Sequence, residues 1–94
     1  MMKKYKLVLS SRFKKDLKQC VRRNFDISKM DYVVEMLISG KKLPEKHRDH
    51  NLTGNWSTHR ECHIEPDWLL MYRIENDLLV LTLTRTGTHS DLFG

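Results

Sequence analysis

Apolar residues change their spacing several times along the chain, and each change predicts an element. In "KYKLVLS", Tyr5, Leu7 and Leu9 alternate with Lys6, Val8 and Ser10, which predicts a short strand buried mainly on one face. From Ser11 the spacing lengthens: Phe13, Leu17, Cys20 and Val21 form the apolar stripe of a first helix, with Lys14, Lys18 and Arg22 in line on another face. "NFDISKMDYVVEMLISGKK" predicts a second helix, with Ser28 as N-cap, Asp31 in the first turn and Gly40 just past the end. Met30, Val33, Val34, Leu37 and Ile38 are assigned to its core face, and Met36 is read with Met30 as core filling.

From Lys41 to Asn51 the period disappears. Pro44 and the polar run "EKHRDHN" predict a loop or lid, unusually rich in titratable side chains at His47, Arg48 and His50. Beyond a turn at Gly54 and Asn55, alternation returns in strands near Thr58 to Ile64, Leu69 to Glu75 and Leu78 to Arg85, with a tight turn at Asn76 and Asp77. The expected fold is α+β in the order β-α-α-β-β-β: one domain over residues 1–94, a twisted antiparallel sheet with both helices on one face. Strand parity puts His59, Glu61 and His63 on one face and Arg60, Cys62 and Ile64 on the other. In the last strand Leu79, Leu81 and Leu83 read as core, and the same parity drives Arg85 inward unless it lies at the rim or a bulge turns it out.

A net charge of +5 and a pI near 9.4 favour a polyanionic partner. Cys20 and Cys62 are too few and too far apart for a disulfide framework, so a reducing compartment is expected. The N-terminal apolar stretch is too short for a secretory signal, and no segment approaches a membrane span, so a cytoplasmic protein without membrane contact is expected. The sequon-like "NLT" at Asn51 is then a chance match.

Two kinds of chemistry fit the polar residues. "HRECH" superficially resembles a zinc-protease motif, but Arg60 stands where the general-base Glu is needed and the segment reads as strand. His50, Cys62 and His63 could chelate zinc, yet no paired-cysteine spacing supports it; no metal or cofactor is expected. Metal-free cleavage of RNA needs a base for the ribose 2′-hydroxyl, a cation for the phosphorane and an acid for the leaving 5′-oxygen. His50, His63 and His89, with Asp67 and Arg85, supply these types if the strands gather them at one edge. Trp68 and Phe93 are candidates for stacking on splayed bases, whereas Trp56 reads as core or sheet-edge packing.

"RDHNLTGNW" (Arg48 to Trp56), "RECHIEPDWLLMYR" (Arg60 to Arg73) and "RTGTHSDLFG" (Arg85 to Gly94) together resemble the YafQ branch of the RelE/ParE toxin superfamily. The patterns H-x-E-P-D-W and R-x-G-[TS]-H-x-x-L-F carry the resemblance. It implies a ribosome-dependent mRNA endonuclease, the toxin of a type II toxin-antitoxin pair that cuts mRNA in the ribosomal A site. It also implies a DinJ-like antitoxin as partner, and operator DNA bound only by the complex; charge suggests that the antitoxin's toxin-wrapping segment is acidic. Carried over, the catalytic set is His50, His63, Asp67 and His89, with Arg85 on the phosphate and Trp68 and Phe93 shaping the pocket. His89 is taken as one proton-transfer group and Asp67 with His63 as the other, His50 orienting or sharing the load. Lys14, Lys18 and Arg22 are candidates for gripping rRNA phosphates. The rival readings are a ParE-like gyrase poison and a non-catalytic co-repressor module.

Overall fold

The computed structural model describes residues 3–94. Strand β1 (Lys6–Leu9) leads into helices α1 (Ser11–Arg22) and α2 (Ile27–Ile38). A 3-10 turn at Glu45–His47 and a two-residue strand β2 (His50–Asn51) follow. Then come β3 (Arg60–Glu65), β4 (Trp68–Glu75), β5 (Val80–Gly87) and a short helix α3 (His89–Phe93). The sheet order is β1-β5-β4-β3-β2.

The α+β class with a helix pair on one sheet face holds, with three corrections. β1 pairs with β5 in parallel, so the sheet is mixed rather than antiparallel. The segment read as loop contributes β2, whose His50 lies opposite Glu61. The chain ends in a helix that no apolar period announced.

Each helix starts where a side chain satisfies its orphan amides. Ser10 Oγ accepts from the Phe13 amide and donates to the Thr84 carbonyl, tying α1 to β5. α2 is capped by Asp26, which accepts from the Ser28 amide, and not by Ser28 itself. Asp26 wins because the chain leaves α1 through a left-handed Asn24, which sets the second helix to begin at Ile27. Gly40, just past α2, has φ +72°, as its expected role requires.

The core lies between the helix pair and one sheet face, where Phe13, Cys20, Met30, Val33 and Leu37 meet Cys62, Leu70, Tyr72, Leu81 and Leu83. Val21 and Leu79, whose spacing predicts apolar faces turned to that core, are exposed. Val21 falls on the far side of α1, and Leu79 sits at φ +53° in the β4–β5 turn, before β5 begins. No helix among the described residues is long and apolar enough to cross a membrane.

Candidate active site

Two bulges shape the polar edge of the sheet. In β3 the register slips between His63 and Glu65, so these residues, two apart, leave for different neighbours. Glu65 pairs with Lys29 of α2 at 3.1 Å, while the His63 ring lies 5.8 Å, centroid to centroid, from that of His89. In β5 the register slips at Thr84, because Tyr72 faces Leu83 and Met71 faces Arg85. That extra residue takes Arg85 out of the core parity of Leu81 and Leu83, which resolves the conflict seen in the sequence.

The turn between β3 and β4 is Pro66 and Asp67, flanked by the paired Glu65 and Trp68. With φ preset by its ring, Pro66 brings its carbonyl within 3.1 Å of His63 Nδ1. A carbonyl only accepts, so His63 Nδ1 carries the proton and Nε2 keeps its lone pair in the neutral ring. Asp67 accepts from the His89 amide at 2.9 Å and from His89 Nδ1 at 2.7 Å. These donors, the amide first, hold the Asp67 carboxyl below the usual carboxylate range. Asp67 is therefore the partner of His89 and not, as expected from the sequence, of His63.

His89 owes its position to the R-x-G-T-H pattern. Thr88 caps α3 by accepting from the Asp91 amide, and the Asp91 carboxylate accepts from the Thr88 amide, closing a capping box. Arg23, at the end of α1, clamps Asp91 at 2.7 Å. The Thr88 amide, followed by Arg23, holds the Asp91 carboxyl below its ordinary range. Gly87 has φ +155°, and a Cβ there would meet Asp91 at 2.9 Å. The glycine is thus a spatial requirement of this cap.

His50 is held differently. Its Nδ1 donates to the Arg48 carbonyl at 2.6 Å, and its Nε2 lies 3.6 Å from Glu61 Oε1. Glu61 is only 5% exposed, and its Oε2 has no hydrogen-bond partner among the described residues. Beside it, Asp49 accepts from the Tyr72 hydroxyl and pairs with Arg60 at 3.2 Å, while Arg60 Nη1 donates to Asn51 at 2.6 Å. Burial, then Asp49, pushes the Tyr72 hydroxyl pKa upward, so it stays a donor. This network pins the β2 segment to β3 and β4.

Arg85 donates from Nε at 2.9 Å and from Nη2 at 3.3 Å to Asp16 of α1, which also accepts from the Thr86 amide. Asp16 does not use Nη1, which keeps its capacity to donate to an anion. Trp68 is 3% exposed, packs edge-on against Phe25 and donates to Thr86. That burial corrects its expected stacking role: it supports the turn from within the core. Phe93 is half exposed on α3, and Trp56, assigned to packing, is partly exposed against the His59 ring. Lys14, Lys18 and Arg22 are all exposed on α1.

The structure thus brings His63, Asp67 and His89 together at the turn and α3. His50 sits on β2 over Glu61, and Arg85 is tethered to α1. Sequence reasoning missed Asp16, Asp49, Arg60 and Glu61 as positioning groups; the parity that put Glu61 beside His63 was the one signal for them. Among the described residues, no three His, Cys, Asp or Glu are grouped to hold a metal ion, and Cys62 lies in the core, away from His50 and His63.

A mixed five-stranded sheet, backed by two helices and carrying this histidine and carboxylate cluster at one edge, defines a toxin domain of RelE-like fold. The comparisons narrow the class. Residues 5–94 match the family described as bacterial toxin of type II toxin-antitoxin system, YafQ, and the chain belongs to that family. The mRNA interferase toxin YafQ of Escherichia coli K12 is 41% identical over 86 residues, covering 90% of this chain and 91% of that protein. The toxin in the E. coli DinJ-YafQ complex superposes with a TM-score of 0.89 at 37% identity, covering 97% of this chain and 99% of that one. A metal-bound toxin from Helicobacter pylori gives a TM-score of 0.89 at 40% identity, covering 95% and 99%.

Proposed function

We propose that this toxin is an endoribonuclease that cuts mRNA on the ribosome by metal-free acid-base chemistry. The observation that carries the reading is the pair of imidazoles at 5.8 Å, each with Nδ1 tied to an oxygen acceptor, so that the Nε2 atoms do the proton transfer. His63, with its partner a neutral carbonyl, is the base that takes the 2′-hydroxyl proton. The freed oxygen attacks the adjacent phosphorus, and the phosphorane builds negative charge that the Arg85 fork, braced by Asp16, neutralises. His89, oriented through Nδ1 by the Asp67 carboxylate, donates a proton from Nε2 to the departing 5′-oxygen. The products are a 2′,3′-cyclic phosphate and a 5′-hydroxyl end. His50, held by the Arg48 carbonyl and set over the buried Glu61, lines the same edge. DNA, which lacks the 2′-hydroxyl, is not a substrate.

The chain acts in the cytoplasm, where Lys14, Lys18 and Arg22 add a salt-dependent grip on ribosomal RNA. A DinJ-like antitoxin with an acidic wrapping segment neutralises it, and operator DNA is bound by the complex. E. coli YafQ in complex with DinJ supports this partner. The test is primer extension on a reporter mRNA in a translating extract, comparing wild type with His89→Ala and His63→Ala. New 5′ ends in register with codons, present only with wild type and engaged ribosomes, are the expected result. Unbroken message with growth still arrested overturns the nuclease reading and directs attention to gyrase.

A further inference from the structure

A cavity of about 500 Å³ opens between α2, the Glu45–His47 turn and the end of β3, within the size range of small-molecule sites. Tyr32, Lys46 and His47 line it, and Ile64, Glu65 and Pro66 form the opposite wall. Those last three are the residues between His63 and Asp67, so the cavity shares its wall with the proposed catalytic turn.

His47 is 6% exposed, and its Nδ1 donates to the His63 carbonyl at 2.7 Å. The remaining Nε2, a lone-pair acceptor in the neutral ring, has no partner among the described residues. Buried polar atoms are seldom left so, and this one calls for an N–H donor. The Tyr32 ring, half exposed, lies 6.2 Å from the His47 ring at a tilt of 38°, offering a flat aromatic wall. Lys46 is exposed at the rim, and Lys29 is drawn there by Glu65. A ligand that suits all of this is planar, carries an N–H edge and trails an anion. A carboxylate side chain does not suit it, because it would face both the Nε2 lone pair and Glu65.

We propose that this cavity is a nucleobase subsite, taking a splayed RNA base next to the nucleotide being cut. The base stacks on Tyr32 and donates an N–H to His47 Nε2, and its phosphate lies toward Lys46. This rests on the RNA-cleaving reading. Through the His47 bond to the His63 carbonyl, an occupied subsite also steadies the strand that presents His63.

The test titrates AMP, CMP or ribose 5-phosphate into the full chain and follows the Tyr32 ring and the His47, His63 and His89 imidazoles by NMR. Saturable shifts of Tyr32 and His47 with the nucleotides, and none there with ribose 5-phosphate, are expected. Tyr32→Ala should weaken that binding about tenfold, the size of a lost base stack. Tyr32→Ala leaves the core intact, since its ring is half exposed. Shifts confined to His63 and His89 overturn the subsite while leaving the nuclease reading intact. An equal response to ribose 5-phosphate reduces it to an anion site and overturns base recognition. Silence of Tyr32 and His47 overturns it as well, whereas failure of the nuclease reading appears separately as uncut message in the primer-extension assay.

Discussion

Two histidines of the proposed site are held in opposite ways. His89 sits in the open, on a five-residue helix that cannot persist alone and is kept by its capping box, the Arg23 clamp and the Asp67 carboxylate. His50 rides on β2, whose backbone is fixed from below by Asp49, Arg60, Glu61 and the buried hydroxyl of Tyr72. The difference teaches what each position needs. Both rings meet water, so the difference lies in what holds the backbone beneath each: local caps for the group that must gain and lose a proton in every turnover. A group whose task is to line the site in a fixed position is better braced by a buried network, at the cost of desolvating the bracing groups.

The contrast breaks most severely at Gly87. Gly87→Ala places a Cβ 2.9 Å from Asp91 at φ +155°, so α3 must shift and carry His89 away from Asp67. Losing one positioned acid-base group costs about 10²–10⁴ in rate, and cleavage should fall by that order. The sheet should survive with a small drop in Tm, because α3 buries no residue. Single-turnover cleavage measured beside thermal unfolding checks both halves. A fall in Tm as large as that of a core mutant would show α3 to be part of the folding unit, and the contrast would fail.

Tyr72→Phe reverses the pattern. It removes the hydroxyl that Asp49 accepts from, in a side chain 1% exposed, while keeping the ring's packing. A hydrogen bond to a charged group is worth about 2 kcal/mol, and for a domain of this size that lowers Tm by roughly 10 °C. Arg60 still holds Asp49, so β2 loosens without detaching, and the loss of cleavage should stay well below that of Gly87→Ala. Chemical denaturation of the two variants side by side makes the comparison quantitative.

How much of this was legible in the sequence follows the same divide. "HIEPDW" is a local device, a proline turn, and with "RTGTHSDLF" it pointed to groups that the fold brings together, although the capped helix start in the second stretch went unread. The network under His50 was illegible because each member becomes intelligible only through a partner far along the chain: Asp49 through Arg60 and Tyr72, Asp16 through Arg85. Nothing local marks a buried glutamate as tolerable. β2 is two residues long, too short for alternation, and the parallel seat of β1 beside β5 is a matter of topology that periodicity does not encode. Trp68 shows the converse error, since its place beside polar residues in sequence suggested exposure while strand parity with Leu70 and Tyr72 puts it in the core.

The smallest effect is one of acid. Asp67 and Asp91 both have carboxyl pKa values depressed in the folded chain, by the His89 amide and ring for the first and by the Thr88 amide and Arg23 for the second. Against an unfolded value of about 3.9, the unfolded chain binds more protons than the native one between the two pKa values. Stability from these carboxylates is therefore complete above about 3.9 and is lost as pH falls through the depressed native values. Both groups are largely exposed, so solvent screens the effect and the global fold should feel little of it. Locally the consequence is sharper, because the same protons remove the cap of α3 and the partner of His89. Amide hydrogen exchange followed down in pH should show α3 opening first, while the amides of β4 and β5 stay protected. Simultaneous opening of α3 and the sheet would mean that the exposed dyad and the buried network are one cooperative unit, and that the two histidines are held in a single way after all.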